Sequence, residues 1–232
     1  RLFPSHSDRA TEPMKEKPLR FCMVTTFYPP YNFGGDGIFV HRLANELARR
    51  GHRVDVVHCA DAYAASGGGA PRGTVADHRA ITVHRLESPF GFLSPLATHQ
   101  TGMPLFKTGQ LRKIFSKGFD VIHYHNISLV GGPGILVFFN DAAPTEIYTL
   151  HEYWLVCPAH LLFKYNRAKS TKKNCITCLL VHRRPPQWWR FSTRIARAVK
   201  EVDAFINLTA FSRDVHREHG LDLPFVHLPF FH

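Results

Sequence analysis

Acidic side chains are scarce in this 232-residue sequence: 18 Asp and Glu stand against 29 Lys and Arg, for a formal net charge of +11. Such an excess implies an anionic partner, whether phosphate groups, acidic lipid or nucleic acid, and does not choose among them. Cysteine is sparse as well. Five irregularly spaced cysteines cannot build the dense disulfide framework of a small secreted domain, so a reducing, cytoplasmic setting is expected. No run approaches the roughly 18 apolar residues of a membrane span. The stretch Arg1 to Lys17 is polar and charged and has no apolar segment, so it does not read as a signal peptide. Residues 1–18 are expected to be a disordered lead-in, and a chain opening on Arg1 reads as a trimmed piece.

Several chemical signatures are missing too. There is no GxGxxG, and the first acidic residue at a plausible distance, Asp55, falls inside a predicted strand rather than at its end, badly placed for a ribose. Neither a P-loop nor a GxSxG elbow is present. His151-Glu152 opens like a zinc-protease HExxH, but position 155 is Leu155, which breaks the motif. No nucleic-acid recognition module is evident, so nucleic acid is a poor fit for the basic charge.

What remains is 44% apolar, enough for a full core. Leu19 to Thr26 is a near-continuous apolar run, the mark of a strand buried on both faces of a parallel sheet. Further strands are predicted at 54–58, 81–86, 120–125, 145–150, 204–208 and 225–228. Helices are predicted at 38–50, 105–116, 129–140, 188–202 and 210–219. Gly51 stands where a helix C-terminal cap belongs. Residues 61–80 read as a mobile loop and 88–106 as an irregular connection. The alternation predicts an α/β fold, a doubly wound parallel, Rossmann-like sheet, over 19–232, with an irregular, basic, cysteine-bearing insertion at about 152–187. Ligands of such sheets sit at the carboxyl ends of strands near a topological switch point. The loops to read are therefore those after Thr26, His125, Leu150 and Leu208.

The first of these loops carries Gly34, Gly35, Asp36 and Gly37 ahead of a helix. The glycines either let backbone approach a phosphate at the helix N-terminus or serve a tight turn that needs positive φ. His123 and His125 are two apart in a strand and so face the same way. His125, at the strand's end, is either a structural hydrogen-bonder or a ligand-binding imidazole.

Tyr28-Pro29-Pro30, then Gly34-Gly35, then His41, Ala44, Leu47 and Arg50-Gly51-His52 follow in an order that resembles the opening of the large retaining glycosyltransferase family typified by sucrose, mannosyl and bacterial polysaccharide glycosyltransferases. The resemblance runs on through the stretch from Asp120 to Asn126, through Thr149 to Trp154, and through Ser212 and Asp214 before Gly220, about residues 19–230 in all. It implies the N-terminal, acceptor-side half of the B-type glycosyltransferase fold, family 4-like, with two Rossmann-like domains across a cleft. It further implies that Gly34, Gly35 and Asp36 meet the acceptor or the donor phosphates. His125 would be the histidine beside the donor sugar and the acceptor hydroxyl, the catalytic candidate. Asn126 departs from the acidic residue many members carry there. His151 and Glu152, where the family often has His-Asp, would border the acceptor pocket.

Retaining members use the leaving diphosphate to help deprotonate the acceptor, so no carboxylate pair, no protein nucleophile and no catalytic cofactor is expected. The donor-binding machinery would lie in a C-terminal domain absent after His232, leaving this piece inactive alone. The implied partners are a nucleotide-sugar and a glycan or lipid-linked acceptor. The competing reading is a non-catalytic basic α/β module that binds phosphate or anionic lipid.

Two features of the insertion stay open. Cys157, Cys175, Cys178 and His182 are either candidate ligands of a structural zinc or a set of thiols beside an unrelated histidine. Lys164, Arg167, Lys169, Lys172, Lys173, Arg183 and Arg184 crowd the same segment, and Arg190, Arg194 and Arg197 are predicted to share one helix face beside Trp188-Trp189. That face is either a solvated basic surface with tryptophans in the core, or a peripheral contact with the anionic cytoplasmic face of a membrane.

Overall fold

The computed structural model describes residues 17–71, 73, 75–138, 144–165, 167–169 and 175–229. Residues 1–16 of the lead-in predicted at 1–18, the lysines 172 and 173 and the last three residues lie outside the described residues.

The chain order is β1 (Arg20–Val24), α1 (Gly35–Arg49), β2 (Arg53–Cys59), α2 (Ala60–Ala65), β3 (Ile81–Leu86), α3 (Leu93–Thr101), α4 (Thr108–Phe115), β4 (Val121–Tyr124) and β5 (Thr145–Leu150). A two-residue hairpin, β6 (Phe163–Lys164) and β7 (Ala168–Lys169), and α5 (Cys175–Val181) follow. Then come α6 (Arg194–Ala198), β8 (Ala204–Asn207), α7 (Ala210–Glu218) and β9 (Phe225–His227). Seven strands form one parallel sheet in the order β3-β2-β1-β4-β5-β8-β9. The predicted doubly wound Rossmann-like fold is the observed one.

The central strand β1 shows why the sheet forms. Cys22, Met23 and Val24 are fully buried. Met23 faces one layer with Val40, Ala44 and Ala48 of α1 and Val54 and Val56 of β2. Cys22 and Val24 face the other, with Leu111, Ile122, Leu150, Trp154 and Phe205. Alternation along the strand thus feeds both layers. Each large apolar side chain buried this way contributes about 1.5–3 kcal/mol.

The chain runs outward from β1 to β3, then returns to β4 on the other side of β1, so the order reverses between β1 and β4. The two loops leaving that point are stitched together. The Thr26 amide and hydroxyl both donate to the Asn126 carbonyl, at 2.5 and 2.9 Å, and the Leu129 amide donates to the Thr26 hydroxyl at 3.3 Å.

Four predicted stretches differ from the structure. The helix predicted at 129–140 is a short 3₁₀ turn, Gly132–Ile135. Gly132 sits at φ 61°, and a Cβ there would lie 2.8 Å from the Gly102 carbonyl carbon, so this segment is shaped by close backbone approach rather than helix propensity. The helix predicted at 188–202 breaks into a 3₁₀ turn at Trp188–Phe191, α6, and a 3₁₀ turn at Val199–Glu201. Ser192 causes the break: its backbone is extended, its hydroxyl donates to the Trp189 carbonyl at 2.6 Å, and its Oγ accepts from the Arg194 amide. The connection predicted as irregular at 88–106 contains α3, which ends on Gly102 in the left-handed region. The loop at 61–80 begins inside α2.

Candidate functional site

A cavity of about 710 Å³ opens at the carboxyl ends of the central strands. Phe27 comes to it from the loop after β1, Asn126, Ser128 and Leu129 from the loop after β4, and Glu152 from the loop after β5. The α3 segment supplies Phe92, Leu96 and His99, and the insertion supplies His160, Leu161, Arg184 and Gln187. Three of the four predicted loops therefore meet here, and the loop after β8 does not.

The glycine loop stands against the cavity wall. Asn126 donates from Nδ2 to Asp36 Oδ2 at 3.2 Å, while Asp36 Oδ1 accepts from the Gly37 amide at 2.8 Å. Burial raises the Asp36 pKa, these hydrogen bonds oppose the rise, and the nearby Glu152 charge adds to it. Gly34 precedes α1 with extended backbone, φ −150°, and neither Gly34 nor Gly35 adopts a positive φ. A Cβ at Gly35 would meet nothing within 4 Å, and one at Gly34 would meet only Asp36 Oδ1 at 3.7 Å. The tight-turn reading thus fails for both: the fold itself has room for a side chain there. Gly37 is different, because a Cβ would clash with Asn32 at 2.4 Å.

Behind the wall lies a group of three histidines. His123 donates to or accepts from Thr149 Oγ1 at 2.7 Å, and its ring centre is 4.1 Å from that of His125. His125 Nδ1 lies 2.9 Å from His151 Nε2. Phe39 of α1 covers the pair, its ring 5.0 Å from His151 edge-on and 6.0 Å from His125. Burial dominates all three pKa values. It lowers His123 to about 3 and His151 to about 4, and it holds His125 well below its ordinary value, with the neighbouring imidazoles adding to the effect on His123 and His125. The cluster is neutral at physiological pH. His125 is 1% exposed and does not line the cavity, and its Nε2 is buried without a hydrogen-bond partner.

Glu152 faces the cavity and binds His160 through Oε2 and Nδ1 at 2.6 Å. His160 holds φ at 71°, a conformation uncommon for a side-chain-bearing residue. The residue is therefore held by its surroundings. Its amide donates to the Cys157 carbonyl at 2.9 Å. In the same segment, the Arg190 guanidinium lies 4.9 Å from the Trp154 ring centre and 4.8 Å from that of Trp189. It donates to the Trp154 carbonyl at 2.7 Å, to the Leu155 carbonyl at 3.3 Å, and to Gln187 Oε1. Burial brings its pKa down to about 10, so it remains charged at neutral pH. This corrects the basic face predicted from sequence. Arg190 points into the fold as a clamp rather than sharing an exposed face with Arg194 and Arg197. Trp189 is buried while Trp188 and Phe191 are exposed.

Of the four candidate zinc ligands, Cys175, Cys178 and His182 lie on and just after α5, and Cys157 lies in the segment after β5. Cys157 is buried against Ala159, Leu162 and Val215. Cys175 and Cys178 are half-buried on α5, and His182 lies within hydrogen-bond reach of the Phe163 carbonyl. Among the described residues, no three His, Cys, Asp or Glu side chains gather as a metal-holding group.

The sequence matches Glycosyltransferase Family 4 over residues 33–228. The chain belongs to glycosyltransferase family 4. It is 23% identical over 225 residues to an "Uncharacterized 42.6 kDa protein in cps region" of Klebsiella pneumoniae, covering 87% of this chain and 52% of that protein. Among solved structures it resembles a sucrose-phosphate synthase from Thermosynechococcus elongatus, with a TM-score of 0.55 and 15% identity, covering 91% of this chain and 48% of that one. That likeness is one of fold. The chain spans about half the length of these relatives.

Of the site residues expected from the sequence of this glycosyltransferase domain, Asn126 and Glu152 line the cavity, Asp36 lies one hydrogen bond behind it, and Gly34, Gly35, His125 and His151 do not line it. Sequence reasoning missed His160, Gln187, Leu96 and Leu161. The insertion looked irregular, and it is held by contacts distant in sequence, among them the Arg190 hydrogen bond to the Trp154 carbonyl across 36 residues and the packing of Cys157, Ala159 and Leu162 on Val215. The tryptophan pair beside Arg190 was the available signal. Among the described residues no helix is long and apolar enough to cross a membrane.

Proposed function

We propose that this domain holds the acceptor in a glycosyltransferase that moves a sugar from a nucleotide-sugar to an acceptor hydroxyl with retention at the anomeric carbon. One observation carries the reading: a cavity of about 710 Å³ at the switch point of the sheet, with the amide of Asn126 and the carboxylate of Glu152 on its wall and the glycine loop beside it. Amide and carboxylate together bind sugar hydroxyls as donor and acceptor. Gly34 and Gly35 carry no side chain although the fold has room for one, which suits close approach of donor phosphates to the start of α1. In retention on one face, the leaving diphosphate takes the acceptor's proton as the new bond forms, so the protein supplies placement rather than a nucleophile. The neutral His125–His151 pair supports this site with dipoles and no charge. Donor binding belongs mainly to the second domain of such enzymes, so this domain alone turns over little.

The test is transfer by the full-length protein with a panel of nucleotide-sugars, following released nucleoside diphosphate and the anomeric configuration of the product by NMR. Retained configuration, with a raised acceptor KM in Asn126→Ala and Glu152→Gln, is the expected outcome. An inverted product removes the retaining mechanism. Absence of transfer with every donor would leave the non-catalytic phosphate- or lipid-binding module as the better account.

A further inference from the structure

At the amino ends of its central strands the sheet departs from its own apolar pattern. Arg20 shares a sheet face with Cys22 and Val24, which are fully buried in the core with Leu111, Ile114 and Phe115 of α4. Arg53 is the register partner of Arg20, Asp55 that of Cys22, and Thr82 that of Asp55. Positions whose period calls for core residues therefore carry Arg20, Arg53, Asp55 and Thr82. Polar residues at core-facing positions are kept where they serve a function. With Arg79 and Lys117, from the turns that lead into β3 and β4, these four line a pocket of about 350 Å³. Along β1, Arg20 stands about 20 Å from Thr26 at the cavity end, at about 3.3 Å per residue.

The charges in this pocket do not balance. Asp55 is the one carboxylate that lines it, and its partners are already close. Asp55 Oδ1 lies 2.7 Å from His84 Nε2 and 3.5 Å from Lys117 Nζ, and Oδ2 lies 3.4 Å from Arg20. Burial pushes the Asp55 pKa up, and the His84 hydrogen bond with the charges of Arg20 and Lys117 brings it below the ordinary value. Arg53 and Arg79 are left over. Both are exposed, and among the described residues neither forms an ion pair. Like charges gathered on neighbouring strands cost stability, and an anion held among them removes that cost.

We propose that this pocket binds a small phosphomonoester through the guanidinium groups of Arg53 and Arg79. Their two charges match the charge of −1.5 to about −2 that such a group carries at neutral pH. The planar guanidinium fork fits phosphate oxygens, and the pocket's volume suits a small molecule.

Calorimetry on the full-length protein tests this with glycerol 3-phosphate, inorganic phosphate and the monoanionic diester dimethyl phosphate, and with vesicles of phosphatidylglycerol or phosphatidylcholine. Glycerol 3-phosphate and inorganic phosphate bind, and dimethyl phosphate binds at least about tenfold more weakly. Arg53→Gln and Arg79→Gln each weaken glycerol 3-phosphate by about tenfold, and the double variant abolishes its saturable binding. Without phosphate, the double variant unfolds at a denaturant midpoint equal to or above that of the parent, because like charges have been removed. Added phosphate raises the parent's midpoint and leaves the variant's unchanged. Failure of glycerol 3-phosphate to bind, or binding of unchanged strength in the double variant, overturns the site. A lowered midpoint in the phosphate-free double variant marks the arginines as part of the fold and overturns it as well. Equal affinity for dimethyl phosphate overturns the monoester. Arginine-dependent binding of phosphatidylglycerol vesicles, with no binding of soluble phosphates, overturns the small-molecule assignment and gives this face to a membrane. None of these readouts involves sugar transfer, so they stand apart from the fate of the glycosyltransferase reading.

Discussion

His125 Nδ1 and His151 Nε2 lie 2.9 Å apart, and two imidazoles at that distance share one proton between them. Both are buried and held neutral, so whichever ring donates sets the tautomer of the other. If His151 donates, His125 Nε2 carries a hydrogen; if His125 donates, Nε2 is a bare acceptor. In either case the His125 Nε2 atom is buried behind the cavity wall with no hydrogen-bond partner among the described residues.

Substituting His125→Ala therefore has two separable effects. It strands His151 Nε2 without its ring partner, which costs about 1–3 kcal/mol of stability. On the proposed role of the His125–His151 pair, it also removes a dipole that supports the acceptor site, and the expected outcome is a kcat of the full-length enzyme lower by about 10²-fold. Circular dichroism and denaturant unfolding establish the fold, and steady-state transfer reads the rest. A folded variant with unchanged kcat takes His125 out of the site.

The same burial predicts how stability changes with acid. A histidine whose folded pKa is depressed stays neutral in the fold, while the unfolded chain takes up a proton near the ordinary value of 6.5. Its contribution is thus complete above 6.5 and is lost as pH falls toward the folded value, about 3 for His123 and about 4 for His151, His58 and His99. Within that window each such group changes stability by about 1.4 kcal/mol per pH unit. His125 adds to the trend. Glu146, raised to about 8 mainly by burial, works against it, as do Asp36 and Asp61, whose pKa values burial also raises. The net expectation is a falling urea midpoint between about pH 7 and about pH 5, above the range where ordinary carboxylates titrate. His123→Gln flattens the slope. A midpoint that holds steady across that window contradicts the neutral cluster.

The glycines offer a cleaner separation of fold from function. Gly35→Ala places a methyl group where nothing lies within 4 Å, at a helix position with ordinary backbone. Stability should stay within about 0.5 kcal/mol of the parent. Any loss of transfer, or a raised KM for the nucleotide-sugar, then reports close approach of ligand to that backbone. Gly37→Ala serves as the contrast, since its Cβ meets Asn32 Oδ1 at 2.4 Å and the Phe27 carbonyl at 3.0 Å. Overpacking there costs about 1–3 kcal/mol. Equal activity in Gly35→Ala and the parent would leave the loop without a ligand role.

Much of the sheet was readable from local pattern, because a strand buried on both faces writes its apolar run directly into the chain. Ile81–Leu86 and Thr145–Leu150 have the bounds read from sequence. The loops that carry Asn126 and Glu152 were readable for a related reason, since the switch-point rule ties a site to strand ends and strand ends follow from the runs, while the two residues themselves were singled out by the family resemblance. The failures share a different origin. Gly132 is bent by Gly102, thirty residues away in sequence, and the Ser192 break depends on one hydroxyl choosing a backbone carbonyl. His160 and Leu161 reach the cavity through contacts of this kind: His160 binds Glu152, Ala159 and Leu162 pack on Val215, and Arg190 ties the segment after β5 to the turn at Trp188–Phe191. Such contacts are decided in three dimensions and leave no period in the sequence.

That tie gives the last prediction. Arg190 satisfies the Trp154 and Leu155 carbonyls and lies against two tryptophan rings whose centres are 5.9 Å apart. Arg190→Leu keeps bulk but leaves two carbonyls without their donor, at a cost of about 1–3 kcal/mol. Arg190→Lys retains the charge yet cannot present the planar fork to both carbonyls and both rings, so it recovers only part of the loss. Because the clamp holds the wall that carries His160 and Leu161, acceptor KM should rise in both variants more than kcat falls, with the nucleotide-sugar KM nearly unmoved. Denaturant midpoints and acceptor titrations on the full-length protein read the two effects separately. A stable Arg190→Leu variant with an unaltered acceptor KM would show that the insertion keeps its shape by other contacts.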